Sequence, residues 1–130
     1  MKKYKLLKKE ANGLHRIQAL KSFANINKGD IGGYVQSEKN LSQNGTAWVC
    51  DNARVFGNAQ VYGNAIVYGD AQVYGNAQVC DDAQVCDDAR VYGDAQVYGD
   101  TIVYGDAWVT GNAKVHGNAR VLSHTHAVPF

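Results

Sequence analysis

Histidine, cysteine and aspartate are the side chains of this 130-residue sequence that could perform acid–base, thiol or metal chemistry. The four histidines are His15, His116, His124 and His126. The three cysteines are Cys50, Cys80 and Cys86. An imidazole can act as a general base near neutral pH, and closely spaced His and Cys side chains can bind zinc. These residues lack the spacing of a metal-ligand set. We therefore expect no catalytic residue, no cofactor and no metal ion.

A strict six-residue repeat determines where these side chains lie. Valines follow one another at this spacing without interruption: Val49, Val55, Val61, Val67, Val73, Val79, Val85, Val91, Val97, Val103, Val109, Val115 and Val121. The unit reads Asn/Asp–Ala–x–Val–Tyr–Gly, with Thr101 in one Ala position. Residues two apart share one side of a strand, so Ala and Val point inward and x points outward. Gly–Asn and Gly–Asp favour a turn after each strand. The repeat therefore predicts short strands and corners that stack as a solenoid.

The repeat leaves two values open for the number of sides in one coil. A triangular coil of eighteen residues would stack one outward row of Trp48, Ile66, Gln84, Ile102 and Arg120. A two-sided coil of twelve residues would stack Trp48, Gln60, Gln72, Gln84, Gln96 and Trp108 instead. Both rows are acceptable on an outer wall, so the residues themselves do not decide between them.

The cysteines and several aspartates fall at the corners of the repeat. Each cysteine takes the position that tyrosine fills elsewhere. In a triangular coil Cys50 and Cys86 would lie two coils apart, beyond disulfide reach, so free thiols and a reducing compartment are expected. Asp70, Asp88 and Asp106 would share a corner that could attract calcium. Asn52 fills an equivalent position, so a turn role is the favoured interpretation.

The first part of the chain departs from the repeat. Tyr4 to Lys9 and Leu14 to Leu20 are typical of short strands, and Asn12-Gly13 between them predicts a two-residue hairpin turn. Lys28-Gly29-Asp30 and Gly32-Gly33 indicate further turns. An open first coil would expose unpaired strand edges, so this segment is interpreted as a cap.

The repeat also suggests the domain bounds. We predict a capping segment over 1–46, a solenoid over 47–127 and a tail over 128–130. Val35, Leu41 and Ala47 lie six residues apart, so the solenoid could begin irregularly near Val35.

Charge is divided unevenly along the chain. The formal net charge is +1, but residues 1–48 carry nine Lys/Arg against three Asp/Glu, and residues 49–121 carry four against nine. Such lysines usually form a solvated face, so direct binding of nucleic acid is not expected. No apolar stretch reaches membrane length, and Tyr4 to Glu10 is too charged for a secretory signal. These features predict a cytoplasmic protein without a membrane partner.

The unit Ala–x–Val–Tyr–Gly–Asn resembles the hexapeptide repeat of left-handed parallel β-helix proteins. That repeat has an aliphatic residue at every sixth position and a small residue four positions after it. The resemblance implies three sides and a left-handed coil. The predicted fold is therefore all-β, a left-handed parallel β-helix in the form of a triangular solenoid of about 4–5 coils, with an N-terminal β-hairpin cap.

A second resemblance involves the cap and the repeats that follow it. The pattern is Leu14-His15-Arg16-Ile17-x-Ala19, then Phe23, then Gly29-Asp30-x-Gly32-Gly33-Tyr34-Val35-x-x-Glu38-x-Asn40-Leu41-Ser42. It is similar to small hexapeptide-repeat proteins of bacteriophages and prophages. This resemblance implies the origin and the architecture, because the family has no settled biochemical activity. A phage origin favours a non-enzymatic binding solenoid in the host cytoplasm, with inhibition of a host defence protein, such as a nucleic-acid-targeting complex, as one function.

Many left-handed β-helix proteins are acyl-CoA-dependent acyltransferases, and this activity is the alternative. It requires a histidine base near a loop extruded from the coils. No insertion interrupts the repeat between Val49 and Val121, which favours the non-enzymatic interpretation.

Large apolar side chains at outward positions are the candidate interaction residues. They are Trp48, Ile66, Ile102, Trp108, Tyr68 and Tyr104. Apolar residues aligned on a polar wall are typical of an interaction site, and Trp and Tyr often anchor interfaces. We therefore predict a homo-oligomer that associates through the face of Ile66 and Ile102, and a host protein as a further partner.

Overall fold

The computed structural model describes residues 2–122 as an all-β parallel solenoid of about 5 turns. It confirms the predicted β-solenoid class. The predicted end of the solenoid at residue 127 and the tail 128–130 lie outside the described residues.

Three longer strands precede the repeat, and each repeat contributes one two-residue strand. The longer strands are β1 (Tyr4–Lys9), β2 (His15–Ala19) and β3 (Ile31–Val35), and a 3-10 turn follows at Glu38–Asn40. The repeat strands are β4 (Trp48–Val49), β5 (Arg54–Val55), β6 (Gln60–Val61), β7 (Ile66–Val67), β8 (Gln72–Val73), β9 (Gln78–Val79), β10 (Gln84–Val85), β11 (Arg90–Val91), β12 (Gln96–Val97), β13 (Ile102–Val103), β14 (Trp108–Val109), β15 (Lys114–Val115) and β16 (Arg120–Val121).

The repeat strands form three walls, and the strands within each wall are parallel. This arrangement settles the number of sides in one coil. Face 1 contains β4, β7, β10, β13 and β16; face 2 contains β5, β8, β11 and β14; face 3 contains β6, β9, β12 and β15. Trp48 pairs with Ile66, Ile66 with Gln84, and Gln84 with Ile102, each eighteen residues further on. One coil is therefore eighteen residues and triangular, and the twelve-residue ribbon is wrong. The left hand of the coil stays a prediction.

The inward Ala and Val positions form one continuous core. From Ala47 to Val115 every one of them is buried, and Thr101 fits among them because its hydroxyl donates to the Tyr98 carbonyl at 2.7 Å. Backbone bonds link successive coils, as where the Tyr68 N–H donates to the Val85 carbonyl at 2.9 Å. Burying a valine side chain contributes about 1.5–3 kcal/mol. The stacked coils thus supply the burial that a single two-residue strand lacks.

The corners require a left-handed backbone conformation that favours glycine. Most corners have Gly there, but three have Asp with φ of 57–59°, and each of these follows a cysteine. The carboxylate of each accepts a hydrogen bond from the backbone N–H of the glycine one coil later, at 3.0–3.1 Å: Asp51–Gly69, Asp81–Gly99 and Asp87–Gly105. This bond offsets part of the cost of the strained conformation.

The cap begins with the predicted hairpin, but its turn is longer than expected. β1 and β2 pair antiparallel, with Tyr4 opposite Ala19 and Lys9 opposite His15. The Gly13 N–H donates to the Glu10 carbonyl at 2.9 Å, and Gly13 alone in the loop has a positive φ, of 81°. The two-residue Asn12-Gly13 turn is therefore wrong, because the chain forms a three-residue loop with glycine in the left-handed position.

The cap continues directly into the wall of face 2. β2 pairs antiparallel with β3, and β3 pairs in parallel with β5 through Tyr34–Arg54 and Val35–Val55. The first coil therefore uses residues of the same segment that forms the cap. Val35 and Leu41 are both buried in the solenoid core.

Gly32 and Gly33 lie inside β3, so the prediction of a turn there is wrong. A Cβ atom on Gly32 would lie 2.5 Å from the Val49 carbonyl oxygen, and one on Gly33 would lie 2.8 Å from that of Ala53. The two glycines are needed because β3 packs directly on the backbone of the first coil. Among the described residues no helix is long and apolar enough to cross a membrane.

Candidate interaction surfaces

Trp48 lies at the covered end of face 1 and does not form part of an exposed surface. Its ring is edge-on to Phe23 at 5.3 Å and to Tyr4 at 6.3 Å, and only 2% of the residue is exposed. The prediction of Trp48 as a surface anchor is therefore wrong. The position is outward in the repeat, but it belongs to the first coil, where the cap packs on it.

Ile66 and Ile102 lie in one row of face 1, on either side of Gln84. Ile66 is 36% exposed and Ile102 is half-buried. The Tyr68 hydroxyl donates to Gln84 Oε1 at 3.1 Å, which ties the corner ring to the middle of the row. The structure thus places three of the predicted interaction residues, Ile66, Ile102 and Tyr68, on the same side of the solenoid.

Tyr68 and Tyr104 lie in the corner row of the same face, alternating with cysteine. The row runs Cys50, Tyr68, Cys86, Tyr104 and Leu122. A hydrogen bond between Tyr68 and Cys86, together with burial, raises the pKa of the Tyr68 hydroxyl to about 12. Both tyrosines are half-buried, so each presents only part of its ring to a partner.

The three cysteines are free thiols, as predicted, but they do not all point outward. Cys86 is only 6% exposed, whereas Cys50 and Cys80 are half-buried. Burial, with a smaller contribution from Asp51, raises the pKa of the Cys50 thiol to about 11. Burial also raises the pKa of the other two thiols. Protonated thiols are poor nucleophiles and metal ligands, which is consistent with a structural role.

The corner tyrosines form a continuous stack at only one of the three corners. Phe56, Tyr74 and Tyr92 are parallel, with successive ring centroids 4.9 Å apart. At another corner Cys80 separates Tyr62 from Tyr98, and at the third Cys86 separates Tyr68 from Tyr104. Among the described residues, a stack of three aromatic rings on consecutive coils is therefore confined to the face 2 corner.

Trp108 lies on face 2, away from the isoleucine row. With Arg90 and Gln72 it lines a surface groove of about 610 Å³, which is bordered by Asp70, Asp88 and Asp106. The Arg90 guanidinium carbon lies 5.8 Å from the centre of the Trp108 ring, within the range of a cation–π contact. The groove thus combines an aromatic ring, a guanidinium and carboxylates on a rigid wall.

The aspartate corner of the groove differs from the other two corners. At those corners side-chain donors connect coils, as in Asn58 to Asn76 at 3.2 Å before face 3 and Asn64 to Asp82 at 3.3 Å before face 1. Asp70, Asp88 and Asp106 are all acceptors when ionised, so they cannot form such a ladder with one another. Over residues 2–122 no group of three His, Cys, Asp or Glu side chains is arranged to hold a metal ion.

The described histidines have structural partners. His15 Nδ1 lies 2.6 Å from the Leu7 carbonyl oxygen, across the cap hairpin. The His116 ring is stacked on Tyr98 at 5.2 Å. His124 and His126 lie outside the described residues.

Lys3 is a buried residue that the sequence did not reveal. Its ammonium donates to the Ala47 carbonyl at 2.6 Å and lies 5.2 Å from the centre of the Phe23 ring. Burial, with repulsion from Lys21, lowers the pKa of Lys3 to about 8. The sequence gives no sign that Lys3 is buried, because it is one of five lysines in the first nine residues and its burial depends on contacts with Phe23 and the first coil.

Asn40 is a second buried polar residue that sequence reasoning missed. Its side-chain oxygen accepts from the N–H groups of Gln36 and Ser37, and its amide donates to the carbonyls of Gly57 and Ala59. All four bonds lie between 2.9 and 3.2 Å. One side chain therefore fixes the turn that begins the solenoid.

Comparison with known protein families gives a match within the repeat region. The family described as YdcK beta solenoid repeat matches residues 47–61, 59–75, 83–99 and 95–111. These segments lie within the coils and include the strands of all three faces. No match was found among curated proteins. The sequence match and the three-walled structure together show that this chain is a β-solenoid repeat protein.

Proposed function

We propose that the chain is a non-enzymatic binding solenoid of phage or prophage origin that acts by binding a host protein. The observation that carries this proposal is the groove of face 2, where Trp108 and Arg90 lie side by side next to a row of carboxylates. Trp and Arg are the residues that most often dominate binding energy at protein interfaces. The wall beneath them is held by the core, so the surface is already ordered before it binds.

Inhibition of a host defence protein, such as a nucleic-acid-targeting complex, is the specific function that we propose. Its support is the acidic border of the groove, because a protein that binds nucleic acid carries a basic surface. The row of Asp70, Asp88 and Asp106 would compete with nucleic acid for that basic surface. Direct nucleic-acid binding by the cap is not part of the proposal. Lys3 is buried, Lys2 is paired with Glu38 at 3.0 Å, and Arg16 bonds to Gly32 and Asp51 carbonyls at 3.0 Å.

A pull-down from bacterial lysate with matched variants tests the groove. Trp108→Ala and Arg90→Ala leave the inward Ala and Val side chains intact, so both should fold. We expect these variants to lose a protein that the wild type captures, by at least about tenfold in recovered amount. Lys114→Ala on face 3 is the control and should retain it. Equal recovery by all variants would place the binding surface elsewhere.

The partner's identity separates the specific function from the general one. The purified solenoid should inhibit nucleic-acid binding or cleavage by the captured protein. The Trp108→Ala variant should inhibit it less. Capture of a protein with no defence activity would support the binding module but contradict the anti-defence role.

The acyltransferase alternative has a direct test in ligand-induced stabilisation. A ligand that binds only the folded state raises the melting temperature. We expect acetyl-CoA at millimolar concentration to leave the melting temperature unchanged. His15 contacts the Leu7 carbonyl and His116 stacks on Tyr98, and these contacts support the expectation. A clear rise would favour the enzyme.

A further inference from the structure

Three rows of side chains run along the outside of face 2, and they differ in chemistry. The central row has three residues on consecutive coils: Gln72, Arg90 and Trp108. The acidic row, two residues before the central position of each coil, consists of Asp70, Asp88 and Asp106. The aromatic row, two residues after that position, consists of Phe56, Tyr74 and Tyr92. Arg90 and Trp108 therefore lie close to both a negative edge and an aromatic edge.

The acidic row concentrates negative charge at one corner of the solenoid. Its three carboxylates are exposed and lie on consecutive coils, which are roughly 4.8 Å apart. Only this corner has Asp on three consecutive coils; before face 1 an asparagine shares the row, and Asn64 donates to Asp82 at 3.3 Å. Like charges at this spacing repel one another, so a cationic group placed on the row would be attracted by all three carboxylates.

The spacing of the coils is close to the pitch of an α-helix laid along the solenoid axis. Across three consecutive coils the outer positions of a row lie roughly 9.6 Å apart. Helix residues i and i+7 are about 10.5 Å apart along the helix axis, and residue i+3 or i+4 lies between them on the same side. One side of a helix can therefore present a cationic side chain to each of Asp70, Asp88 and Asp106.

Other extended chains fit the acidic row less well. Alternate residues of a β-strand are about 6.6 Å apart, so three of them span about 13 Å. A polyproline helix repeats every three residues, or about 9.3 Å, so it would reach Asp70 and Asp106 but leave Asp88 without a cation. Nucleic acid carries phosphate groups, which the carboxylates repel.

The width of the wall fits the same occupant. Four residues of extended chain separate Asp70 from Tyr74, a distance of about 13 Å. An α-helix with its side chains is about 10–12 Å wide. Basic side chains on one side of such a helix would contact the acidic row, while apolar side chains beside them would contact the Trp108 ring. Arg90 repels a second basic stripe, so the wall favours a helix with its positive charge on one side.

We propose that face 2 binds a basic amphipathic α-helix of a partner protein, laid along the solenoid axis with Lys or Arg at i, i+3 or i+4, and i+7 on the acidic row. This inference rests on the proposed function, because it concerns the same groove and names the element of the host protein that the groove recognises. Proteins that bind DNA often present such helices to the major groove. Both the helix and the wall are ordered before they meet, which lowers the entropic cost of binding.

Fluorescence anisotropy with synthetic peptides tests the geometry. The probe is a labelled alanine-based helix of about 20 residues, with arginine at i, i+4 and i+7 and leucine on the adjoining side. One control has the same composition with the arginines distributed around the helix, and a second has a central proline that breaks the helix. The one-sided helix should bind at least about tenfold more tightly than either control. Equal affinity for the first control would overturn the spacing, and equal affinity for the proline peptide would overturn the helix.

Two protein variants with the same change in charge test the acidic row. Asp88→Asn/Asp106→Asn removes two carboxylates of the row on consecutive coils. The matched control, Asp82→Asn/Asp100→Asn, removes two on consecutive coils at the corner before face 1. All four side chains are exposed, and asparagine fills equivalent corner positions, so both variants should fold. The first should bind the one-sided helix at least about fivefold more weakly, and the control should bind it like the wild type. Equal weakening in both would show an effect of net charge and overturn the site.

Failure of this inference differs from failure of the proposed function. If Trp108→Ala loses the captured host protein but the wild type does not prefer the one-sided helix, the binding function stands and the helical partner is wrong. If the acidic row binds the one-sided helix but Trp108→Ala still captures the host protein, recognition of a basic helix stands and the host protein binds elsewhere.

Discussion

The coils and the cap are stabilised in opposite ways. In the coils every repeat uses the same inward Ala and Val, so the core is a sum of equivalent contributions. In the cap individual polar side chains make contacts that occur once, such as the buried Lys3 on the Ala47 carbonyl and Asn40 at the start of the first coil. The stability lost on substitution in a coil should therefore depend on whether the side chain points inward or outward. In the cap it should depend on which hydrogen bond the substitution removes.

The largest effect should come from a charge placed in the repeat core. Val85 is fully buried, so Val85→Asp would bury an unpaired carboxylate, at a cost of several kcal/mol, and should unfold the middle coils. Gln84→Ser, one residue earlier but outward, should change the melting temperature by little. Thermal unfolding followed by circular dichroism measures both. Equal melting temperatures would contradict the inward and outward assignment.

In the cap, Asn40→Ala should have the next largest effect. It removes four hydrogen bonds and leaves the Ala59 carbonyl without its side-chain donor, which should cost roughly 2–4 kcal/mol. Denaturant unfolding gives the loss. The control is Asn58→Ala in the coils, whose exposed amide donates to Asn76 and should cost under about 1 kcal/mol. Similar losses for the two would remove the distinction between cap and coil.

Lys3 should give the cap a pH dependence opposite in sign to that of the coil thiols, whose raised pKa values lower the stability as the pH rises above 9. Its pKa is about 8 in the folded chain and 10.5 in the absence of the fold, so the unfolded state binds more protons between these values. The contribution of Lys3 to the stability should therefore rise as the pH increases from 8 to 10.5, by at most about 3 kcal/mol, and the thiols do not oppose it below pH 9. Lys3→Met should abolish this rise and be more stable than the wild type near pH 7. Parallel pH profiles for both proteins would show that Lys3 is not responsible.

The smallest effect should distinguish two cysteines of the coils. Cys86 is buried and Cys80 is half-buried, so Cys86→Ser should lose about 1 kcal/mol more than Cys80→Ser. Both variants should stay folded, and intact-mass analysis of the native chain should show no disulfide. Identical stabilities would indicate that the two corners are equally open to water.

The repeat region could be predicted from sequence because each of its positions has one role. Ala at one position and Val two residues later specify the inward face, and Gly at the corner specifies the turn. Trp48 was assigned to the surface wrongly because its burial depends on Phe23, twenty-five residues earlier and outside the repeat. Gly32 and Gly33 were assigned to a turn because glycine is common in turns, whereas here the reason is the close approach of two backbones. The groove of face 2 could not be predicted before the coil length was known, because only the eighteen-residue period aligns Arg90 with Trp108.

The identical cores of the three walls have a consequence for how such a chain can change length. Deleting eighteen residues would remove one whole coil and leave every remaining side chain on its original wall. Deleting six residues would satisfy the core equally well, since each wall offers the same Ala and Val. All outward residues beyond the deletion would then move round to the next wall, and Ile102 would leave the row of Ile66. Recombination between repeats could therefore rearrange the surface without disturbing the interior, so only selection on binding would keep the outward rows in their present order.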